Sequence, residues 1–312
     1  MDLSPIKLTP AIKDYLWGGR RLIDEYNKKT DLPCAAESWE LSTHPDGESI
    51  VKTGKFKGLT LSEYIDRNGR ECIGKNALRF DFFPILIKLI DAKGNLSIQV
   101  HPDDEYALKN EHEYGKTEMW YIVDCKEGAY LYYGLKSEVS KSEFKERIKN
   151  NTLTDMLNKV PVHKGDVFFI PSGTIHAICE GILICEIQQN SNTTYRVYDY
   201  NRVGADGKPR ELHIQKAIEV SALCPAPKLP EYDGDTLVSC KYFTVDHIMC
   251  KGSLSIPTKP DSFLSVIVLD GEGNLNLGGS GLALKKGDSI FIPAQDNEIV
   301  FDGDMDIILS YV

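Results

Sequence analysis

The sequence lacks any hydrophobic run long enough to cross a bilayer. A transmembrane helix needs about 20 predominantly apolar residues, and charged residues interrupt every apolar stretch of this chain well before that length. The first seven residues also lack the charged-then-apolar layout of a signal peptide. We therefore expect a cytoplasmic protein with no membrane partner.

An excess of basic charge is also absent. The 312 residues include 36 lysines and arginines against 46 aspartates and glutamates, giving a formal net charge of −10. Nucleic acids and anionic membranes are bound by basic surfaces, so neither is an expected partner. An anionic substrate would need a local cluster of basic side chains, and residues 190–210 supply the clearest one.

The cysteines lack the spacing of a zinc-thiolate or redox motif. None of the eight forms a C-x-x-C pair, and several lie inside apolar runs where a thiol behaves as a small hydrophobic group. We interpret them as reduced and structural, with a zinc-thiolate site as the less favoured alternative. They are Cys34, Cys72, Cys125, Cys179, Cys185, Cys224, Cys240 and Cys250.

The apolar residues that are present fall mainly into short, evenly spaced runs. Residues 83–90, 96–101, 119–123, 129–135 and 167–170 have the length and composition of strands. Such a series is typical of an antiparallel barrel or sandwich. The sequence therefore predicts a mainly-β fold.

A few short helices are predicted between the strands. Residues 61–67 precede an Asn-Gly turn, and residues 140–150 begin with the capping box formed by Ser140 and Glu143. The latter belongs to a helical insert at about residues 138–160, which continues with a second short helix over 153–157. A further helix is predicted at residues 211–222.

A proline-rich connector and an internal repeat predict two domains. Residues 224–230 contain three prolines, so we place a boundary between a domain of residues 1–223 and a domain of residues 224–312. Residues 164–171 have an echo in residues 286–293, at an offset of 122 positions. The second copy has Glu298 where the first has His176, and we expect it to bind no metal.

Four side chains of the first domain form a candidate metal site. Gln99 and His101 are two positions apart in a predicted strand, so they project from the same face. Glu118 and His176 follow at a distance and add a carboxylate and a second imidazole. This ligand set leaves a zinc ion with positive charge and room for a further oxygen ligand, as in catalytic sites.

Two motifs resemble known families. The spacing G-x5-P-x-G-x2-H at residues 165–176 resembles the second signature of the cupin barrel, in which the final histidine points toward a metal. Residues 96–103, 116–119, 171–177 and 191–196 together resemble type I mannose-6-phosphate isomerase (phosphomannose isomerase) in its short bacterial form. This resemblance spans about residues 83–202, and the Gln99-x-His101 pattern distinguishes it from a generic cupin.

The resemblance implies a fold, a cofactor and a reaction. The fold would be two cupin (jelly-roll type) β-barrels, with a few short helices inserted in and after the first. One Zn²⁺ per chain would be held by Gln99, His101, Glu118 and His176. The enzyme would interconvert mannose 6-phosphate and fructose 6-phosphate through an enediolate, so its partner would be a small sugar phosphate. We expect a monomer or a homodimer.

The aldose-ketose reaction also requires a general base and groups that stabilise negative charge. The resemblance marks Lys116, Glu186 and Arg196 as active-site positions without settling which of them is the base. We favour Glu186 as the proton carrier and Arg196 as the group that stabilises enediolate or phosphate charge. Lys88 and Arg202, with Lys116 and Arg196, are candidates for substrate binding; Lys88 either lies exposed at a sheet edge or points into a polar cavity.

Two alternative functions remain open at the level of sequence. One is a related cupin enzyme, either another phosphosugar isomerase or an oxygenase that uses iron and dioxygen. The other is a non-catalytic cupin that binds a sugar phosphate. Because Lys116, Glu118, Glu186 and Arg196 are all present, the sequence favours a catalytic protein.

Overall fold

We describe a computed structural model of residues 1–204, 207–226, 228, 231 and 234–312. Strands predominate over helices, which confirms the prediction of a mainly-β fold. The strands are β1 Ile6–Thr9, β2 Ala11–Lys13, β3 Glu37–Leu41, β4 Ile50–Val51, β5 Ile85–Ala92, β6 Ile98–Val100, β7 Glu118–Cys125, β8 Tyr130–Leu135, β9 Leu157–Pro161, β10 Val167–Ile170, β11 His176–Ile178, β12 Ile182–Gln189, β13 Tyr195–Tyr198, β14 Thr236–Ser239, β15 Thr244–Pro257, β16 Leu264–Leu277, β17 Ser280–Lys285, β18 Ser289–Ile292 and β19 Glu298–Tyr311.

The helices are short and lie between strands. They are α1 Arg21–Asp24, α2 Leu61–Asn68, α3 Gly74–Leu78, α4 Asp104–Asn110, α5 Lys141–Lys149 and α6 Ile214–Val220, with 3-10 turns at Arg70–Ile73 and Leu153–Met156. None of the helices in the described part of the chain is long and apolar enough to cross a membrane.

Contacts divide the chain into two units. Unit 1 contains Met1–Lys13, Arg20–Leu89 and Pro230–Val312, and unit 2 contains Asp14–Gly19 and Ile90–Leu229. The sequence-based boundary between residues 223 and 224 stays a prediction. Pro227, Leu229 and Pro230 of its proline-rich connector lie outside the described residues.

Unit 1 contains an eight-stranded antiparallel sheet. Its strand order is β14-β15-β19-β16-β18-β1-β4, and β17 pairs with β16. The three longest strands, β15, β16 and β19, have 14 residues each, and their buried face packs into one apolar cluster. That cluster includes Ile248, Leu264, Val266, Ile290, Phe301 and Leu309.

Unit 2 contains the strands that carry the candidate metal ligands. Strands β10, β7 and β12 are neighbours in one sheet, and β13-β6-β11-β8-β9 form a five-stranded sheet. These are open, cupin-like sheets rather than closed barrels. The face of the five-stranded sheet that lies away from the candidate site packs on helices α5 and α6 through Phe144, Ile148 and Ala217.

Three of the four predicted helices begin within one residue of the predicted position, and the fourth begins later. Thr60 forms a capping box at α2, and Ser140 accepts a hydrogen bond from the Glu143 amide at α5. The predicted insert reaches about residue 160, but its helical part ends at Met156 because Leu157–Pro161 pairs with β8 as strand β9. Helix α4, which begins after the N-cap Asp103, was not predicted.

Helix α6 begins three residues later than expected. The predicted helix covers residues 211–222, whereas the observed one is Ile214–Val220. The Glu211 carbonyl accepts a hydrogen bond from Arg196, and the His213 amide donates to the Arg196 carbonyl. Residues 211–213 are therefore bound to β13, which leaves them unavailable to a helix.

The repeated phrase forms the same turn in both units. Gly165 and Gly287 both have positive φ values, +91° and +84°, which favour glycine. The Gly165 amide donates to the Ile122 carbonyl, the Gly287 amide donates to the Val268 carbonyl, and both distances are 2.8 Å. Each turn then leads into an antiparallel strand, β10 against β7 and β18 against β16. The repeat predicted from the sequence is therefore a repeated structural unit.

Candidate metal centre and active site

Strand β6 places Gln99 between two other candidate site residues. Gln99 lies opposite His176 of β11 on one side and opposite Arg196 of β13 on the other. Directly opposed residues of antiparallel strands project from the same face. The five-stranded sheet thus presents these three side chains together.

The two histidines point the same ring nitrogen into the site. His101 Nδ1 lies 2.8 Å from the Thr193 carbonyl oxygen, and His176 Nδ1 lies 2.9 Å from the Thr174 carbonyl oxygen. A carbonyl only accepts hydrogen bonds, so each Nδ1 carries the proton and each Nε2 keeps its lone pair. Both histidines are therefore in the tautomer that binds a metal through Nε2.

Glu118 supplies a carboxylate from the facing sheet. It is the first residue of β7 and is fully buried. Its Oε1 lies 3.2 Å from His176 Nε2 and 3.8 Å from His101 Nε2. Potential ligand atoms of His101, Glu118 and His176 all lie within 4.8 Å of one another. Three of the four ligands expected from the sequence therefore lie close together.

Gln99 completes the group from the side. Its Nε2 lies 3.5 Å from His101 Nε2 and 3.4 Å from His176 Nε2, while its Oε1 lies 3.3 Å from Ser97 Oγ. A half-turn of the amide exchanges its nitrogen and oxygen and would present the oxygen, the atom that binds a cation. The fourth predicted ligand is thus within reach of the same point.

The chemistry of this cluster fits a divalent cation. Neither carboxylate oxygen of Glu118 has a hydrogen-bond partner among the described residues. Lys116 Nζ does approach Oε2 to 2.8 Å as an ion pair, but outside hydrogen-bonding geometry. Lys116 pairs with Oε2, whereas Oε1 faces the lone pairs of His101 Nε2 and His176 Nε2, which is costly for a fully buried carboxylate unless a positive charge lies between them. An ion bound by Glu118 and the two Nε2 atoms would provide that charge.

Burial controls the protonation of these groups. It raises the pKa of Glu118 well above its ordinary value, and the nearby Glu186 raises it further while Lys116 opposes both. Burial also lowers the pKa of His176 to about 4. His176 is therefore neutral across the physiological range and available as a ligand.

Lys116 and Glu186 lie beside the cluster. Lys116 Nζ is 3.4 Å from His101 Nε2 and 3.9 Å from Glu186 Oε2. Trp120 Nε1 donates to Glu186 Oε1 at 3.0 Å, and Trp120 and Glu186 are directly opposed on β7 and β12. The structure thus brings two of the three predicted catalytic residues next to the metal-ligand group.

Arg196 is held at its backbone and keeps an unsatisfied guanidinium donor. Its amide donates to His213 Nδ1 at 3.2 Å, and one terminal nitrogen donates to the Glu211 carbonyl. Its Nε is buried without an acceptor among the described residues. Burial lowers the pKa of Arg196, and Arg210 lowers it further. A donor in this position is suited to an anionic ligand.

Arg202 and Lys88 have other partners. Arg202 donates to the Asp199 carboxylate and to the Asn95 carbonyl. Lys88 is 4% exposed in unit 1, with its Nζ 3.4 Å from Glu37 Oε2. Of the two alternatives for Lys88, the exposed sheet edge is therefore wrong. Substrate binding by Arg202 or Lys88 stays a prediction.

Three residues near the site were missed by the sequence analysis. Thr193 orients His101, Glu113 contacts the loop that contains Thr193, and His213 binds the Arg196 backbone. Each of the three lies outside the strands and helices, where hydrophobic periodicity gives no signal. The only available signal was the position of Glu113, three residues before Lys116.

Comparisons with known proteins cover nearly the whole chain. Residues 6–129 match a family model described as phosphomannose isomerase type I, catalytic domain, and residues 233–312 match one described as mannose-6-phosphate isomerase, cupin domain. A mannose-6-phosphate isomerase of Streptococcus mutans is 40% identical over 99% of this chain and 98% of its own length. One from Bacillus subtilis is 39% identical over the full length of both chains.

The solved structures agree with these sequence matches. The crystal structure of a mannose 6-phosphate isomerase from Bacillus subtilis has a TM-score of 0.91 to this chain, at 39% identity. It covers 99% of this chain and 100% of the other. The match extends over both sets of sheets and confirms the cupin-like architecture.

Proposed function

The chain belongs to the type I phosphomannose isomerase family, and from that premise we propose that it interconverts mannose 6-phosphate and fructose 6-phosphate. The names of the full-length relatives support this substrate pair. The observation that carries the proposal is the buried meeting of His101, Glu118 and His176, whose ligand atoms lie within 4.8 Å of one another. That arrangement belongs to a metal-dependent reaction rather than to a structural core.

We assign one zinc ion to Gln99, His101, Glu118 and His176. The unsatisfied oxygens of Glu118 and the inward Nε2 atoms of both histidines support this assignment. Three of these ligands are neutral, so the ion would keep positive charge and room for a substrate oxygen. When bound, zinc supplies a Lewis acid that polarises the sugar carbonyl and its neighbouring hydroxyl.

Glu186 is the proposed proton carrier. Isomerisation removes the proton at C2 of the aldose and returns one at C1 through an enediolate, so a single carboxylate can perform both transfers. The bond from Trp120 Nε1 fixes one oxygen of Glu186, and the other lies 3.9 Å from Lys116 Nζ. Lys116 thus places a positive charge beside this second oxygen of Glu186.

Arg196 is the proposed group for negative charge. Its buried Nε has no acceptor among the described residues, and it lies opposite Gln99 on the neighbouring strand. A guanidinium there would stabilise the enediolate oxygens or the phosphate. Lys116 supplies a second positive charge, whereas Asp199 already engages Arg202, which makes Arg202 a weaker candidate.

The test combines metal analysis with a coupled assay for fructose 6-phosphate. We expect about one zinc per chain, loss of turnover after metal is stripped, and recovery when zinc returns. Full turnover by the stripped protein would overturn the proposal. His101→Ala and His176→Ala should lose both zinc and activity, whereas His163→Ala, in a solvent-exposed turn, should keep both.

The same assay separates the alternatives. Turnover that depends on iron and dioxygen would indicate an oxygenase. A protein that binds the sugar phosphate but exchanges no hydrogen at C2 with solvent would be a non-catalytic binding protein. Rapid C2 exchange with mannose 6-phosphate supports the isomerase.

A further inference from the structure

We propose that Glu113 is a positioning residue for the metal ligand His101, and that it acts through the loop of residues 191–193. Glu113 contacts the loop of residues 191–193 rather than serving as one of the four proposed ligands. It is linked to His101 by a chain of hydrogen bonds, which begins at a carboxylate and ends at the imidazole. The assignment of His101 as a zinc ligand rests on the proposed function.

At the first step of this hydrogen-bond series, Glu113 binds three consecutive residues. Its Oε2 accepts hydrogen bonds from the Asn192 amide at 3.1 Å, Thr193 Oγ1 at 3.1 Å and Ser191 Oγ at 3.3 Å. The Thr193 amide in turn donates to Ser191 Oγ at 3.2 Å. One carboxylate oxygen therefore fixes both backbone and side chains of a loop that has no strand or helix of its own.

The last hydrogen bond of the series fixes the tautomer of His101. The Thr193 carbonyl accepts the proton of His101 Nδ1 at 2.8 Å, so the position of that carbonyl decides where His101 Nε2 points. Outer groups that orient a ligand histidine typically alter metal affinity by about 10- to 100-fold when they are removed. The orientation of His101 depends on this loop, which Glu113 holds at three consecutive residues and Gln188 at the Ser191 carbonyl alone.

The second histidine provides a contrast inside the same site. His176 Nδ1 donates to the Thr174 carbonyl, only two residues away in the same turn. The carbonyl that binds His101 lies 92 residues away in sequence. Local chain geometry can orient His176, whereas His101 requires a distant loop to be held in place. Loss of the Glu113 carboxylate should therefore affect one histidine and spare the other.

The test compares Glu113→Ala with the wild-type protein and with Glu127→Ala, a matched change of an exposed glutamate in the same unit. Zinc affinity is measured by competition with a chromogenic chelator. We expect Glu113→Ala to bind zinc about tenfold more weakly and Glu127→Ala to match the wild type. Equal affinity in all three proteins would overturn the proposal.

A second readout does not depend on zinc or on turnover. In metal-free protein with ¹⁵N-labelled histidine, long-range ¹H–¹⁵N spectra report the tautomer of each ring. Glu113→Ala should convert His101 from the Nδ1–H form to a mixture of tautomers and leave His176 unchanged. A His101 signal that keeps its wild-type form would also overturn the proposal, whether or not the wild type binds zinc.

Folding and charge are controlled with a conservative variant. Circular dichroism and thermal unfolding establish that each variant is folded at the temperature of measurement. If Glu113→Ala does not fold, Glu113→Gln is measured in its place. The amide oxygen still accepts hydrogen bonds but without charge assistance, so an effect smaller than tenfold, again confined to His101, is expected. Wild-type zinc affinity or an unchanged His101 signal in that variant would contradict the proposal.

Discussion

The two copies of the repeated turn and strand have the same backbone pairing, but one buries charged side chains and the other buries apolar ones. Ile170 lies opposite Glu118 in unit 2, and Ile292 lies opposite Leu264 in unit 1. The residue that provides the candidate carboxylate ligand in one copy is therefore a leucine in the other. That leucine is 2% exposed and belongs to an apolar cluster.

The same comparison holds for the proposed base. Glu186 lies opposite Trp120 on β7, and Leu309 lies opposite Val266 at the corresponding position of β16. Both strand pairs also shift register two residues further along, after Ile122 in one copy and after Val268 in the other. The backbone thus tolerates either a buried charged cluster or a packed apolar core, and a few side chains decide which one forms.

The copy in unit 1 therefore contributes mainly to stability, and the copy in unit 2 carries the residues of the proposed function. A packed apolar core stabilises a sheet through burial, whereas buried charges cost free energy unless they are paired. In unit 2 that cost is accepted around Glu118, Glu186 and Lys116, where the proposed chemistry takes place. Exchanging residues between the copies tests this interpretation.

The largest expected effect comes from giving the first copy the residue of the second. Glu118→Leu removes the only carboxylate of the proposed ligand set. Because a bound metal contributes several kcal/mol of charge stabilisation in the transition state, we expect kcat/KM to fall about a thousandfold. Zinc content should fall with it.

Leu264→Met is the matched control at the equivalent position. It conserves volume in the apolar copy, so zinc content and turnover should equal those of the wild type. If Glu118→Leu retained its zinc, the two copies would not differ in the way proposed.

The next effect concerns the proposed base. Glu186→Gln keeps the shape of the side chain and removes its ability to accept a proton. We expect kcat to fall by about two orders of magnitude with little change in KM, and hydrogen exchange at C2 to slow in parallel. Undiminished exchange would assign the base elsewhere. Leu309→Met, at the equivalent position of the second copy, should leave both rates unchanged.

A smaller effect is expected from the reverse exchange. Leu264→Glu buries a carboxyl group among apolar side chains with no cation beside it. The free energy of unfolding should fall by about 3 kcal/mol, measured from the denaturant midpoint. Turnover per folded molecule should persist, since the substitution lies outside unit 2. No change in stability would show that this core can accommodate a charge.

The smallest effect distinguishes a charged contact of unit 2 from the apolar copy of unit 1 by pH. Burial alone would raise the pKa of Asp199, but hydrogen bonds from Arg210 and Arg202 outweigh it and leave the pKa below its ordinary value. A depressed pKa stabilises the fold at pH values above the unfolded pKa, and that stability is lost as pH falls through the folded pKa. Asp199→Asn should therefore cost about 2 kcal/mol at neutral pH, and the cost should shrink below about pH 4.

The apolar copy supplies the control. Ile307→Val removes one buried methyl group from β19 and should cost about 1 kcal/mol. Because no titratable group is changed, that cost should be the same at neutral and acidic pH, as measured by urea unfolding. Parallel pH responses of the two variants would contradict the distinction between a charged and an apolar copy.

Much of the candidate site was predictable because its signals are local. The pairing of Gln99 with His101 follows from strand alternation, and the turn at Gly165 follows from its glycine. The resemblance to type I phosphomannose isomerase added Glu118 and His176, and the structure brings both close to His101. The internal repeat was likewise visible as a repeated phrase, and the structure adds that Glu118 corresponds to Leu264.

Other features depend on segments far apart in the sequence. The Asn95 carbonyl, 107 residues before Arg202, accepts a hydrogen bond from its guanidinium, and no local signal indicates that contact. The late start of α6 has a similar cause, because the Glu211 carbonyl accepts from the Arg196 guanidinium and the His213 amide donates to the Arg196 carbonyl before the helix begins. In each case a tertiary hydrogen bond overrides a local preference.

The sequence by itself predicted the mainly-β architecture from short strand-like runs and the duplicated turn from a repeated motif, and its resemblance to type I phosphomannose isomerase supplied the set of candidate metal ligands. Only the tertiary structure decided which ring nitrogen of His101 faces the site and which basic side chains have other partners. It also revealed Glu113, which lies 80 residues from the Thr193 hydroxyl that it binds. Hydrogen bonds across such separations exist only once the chain has folded.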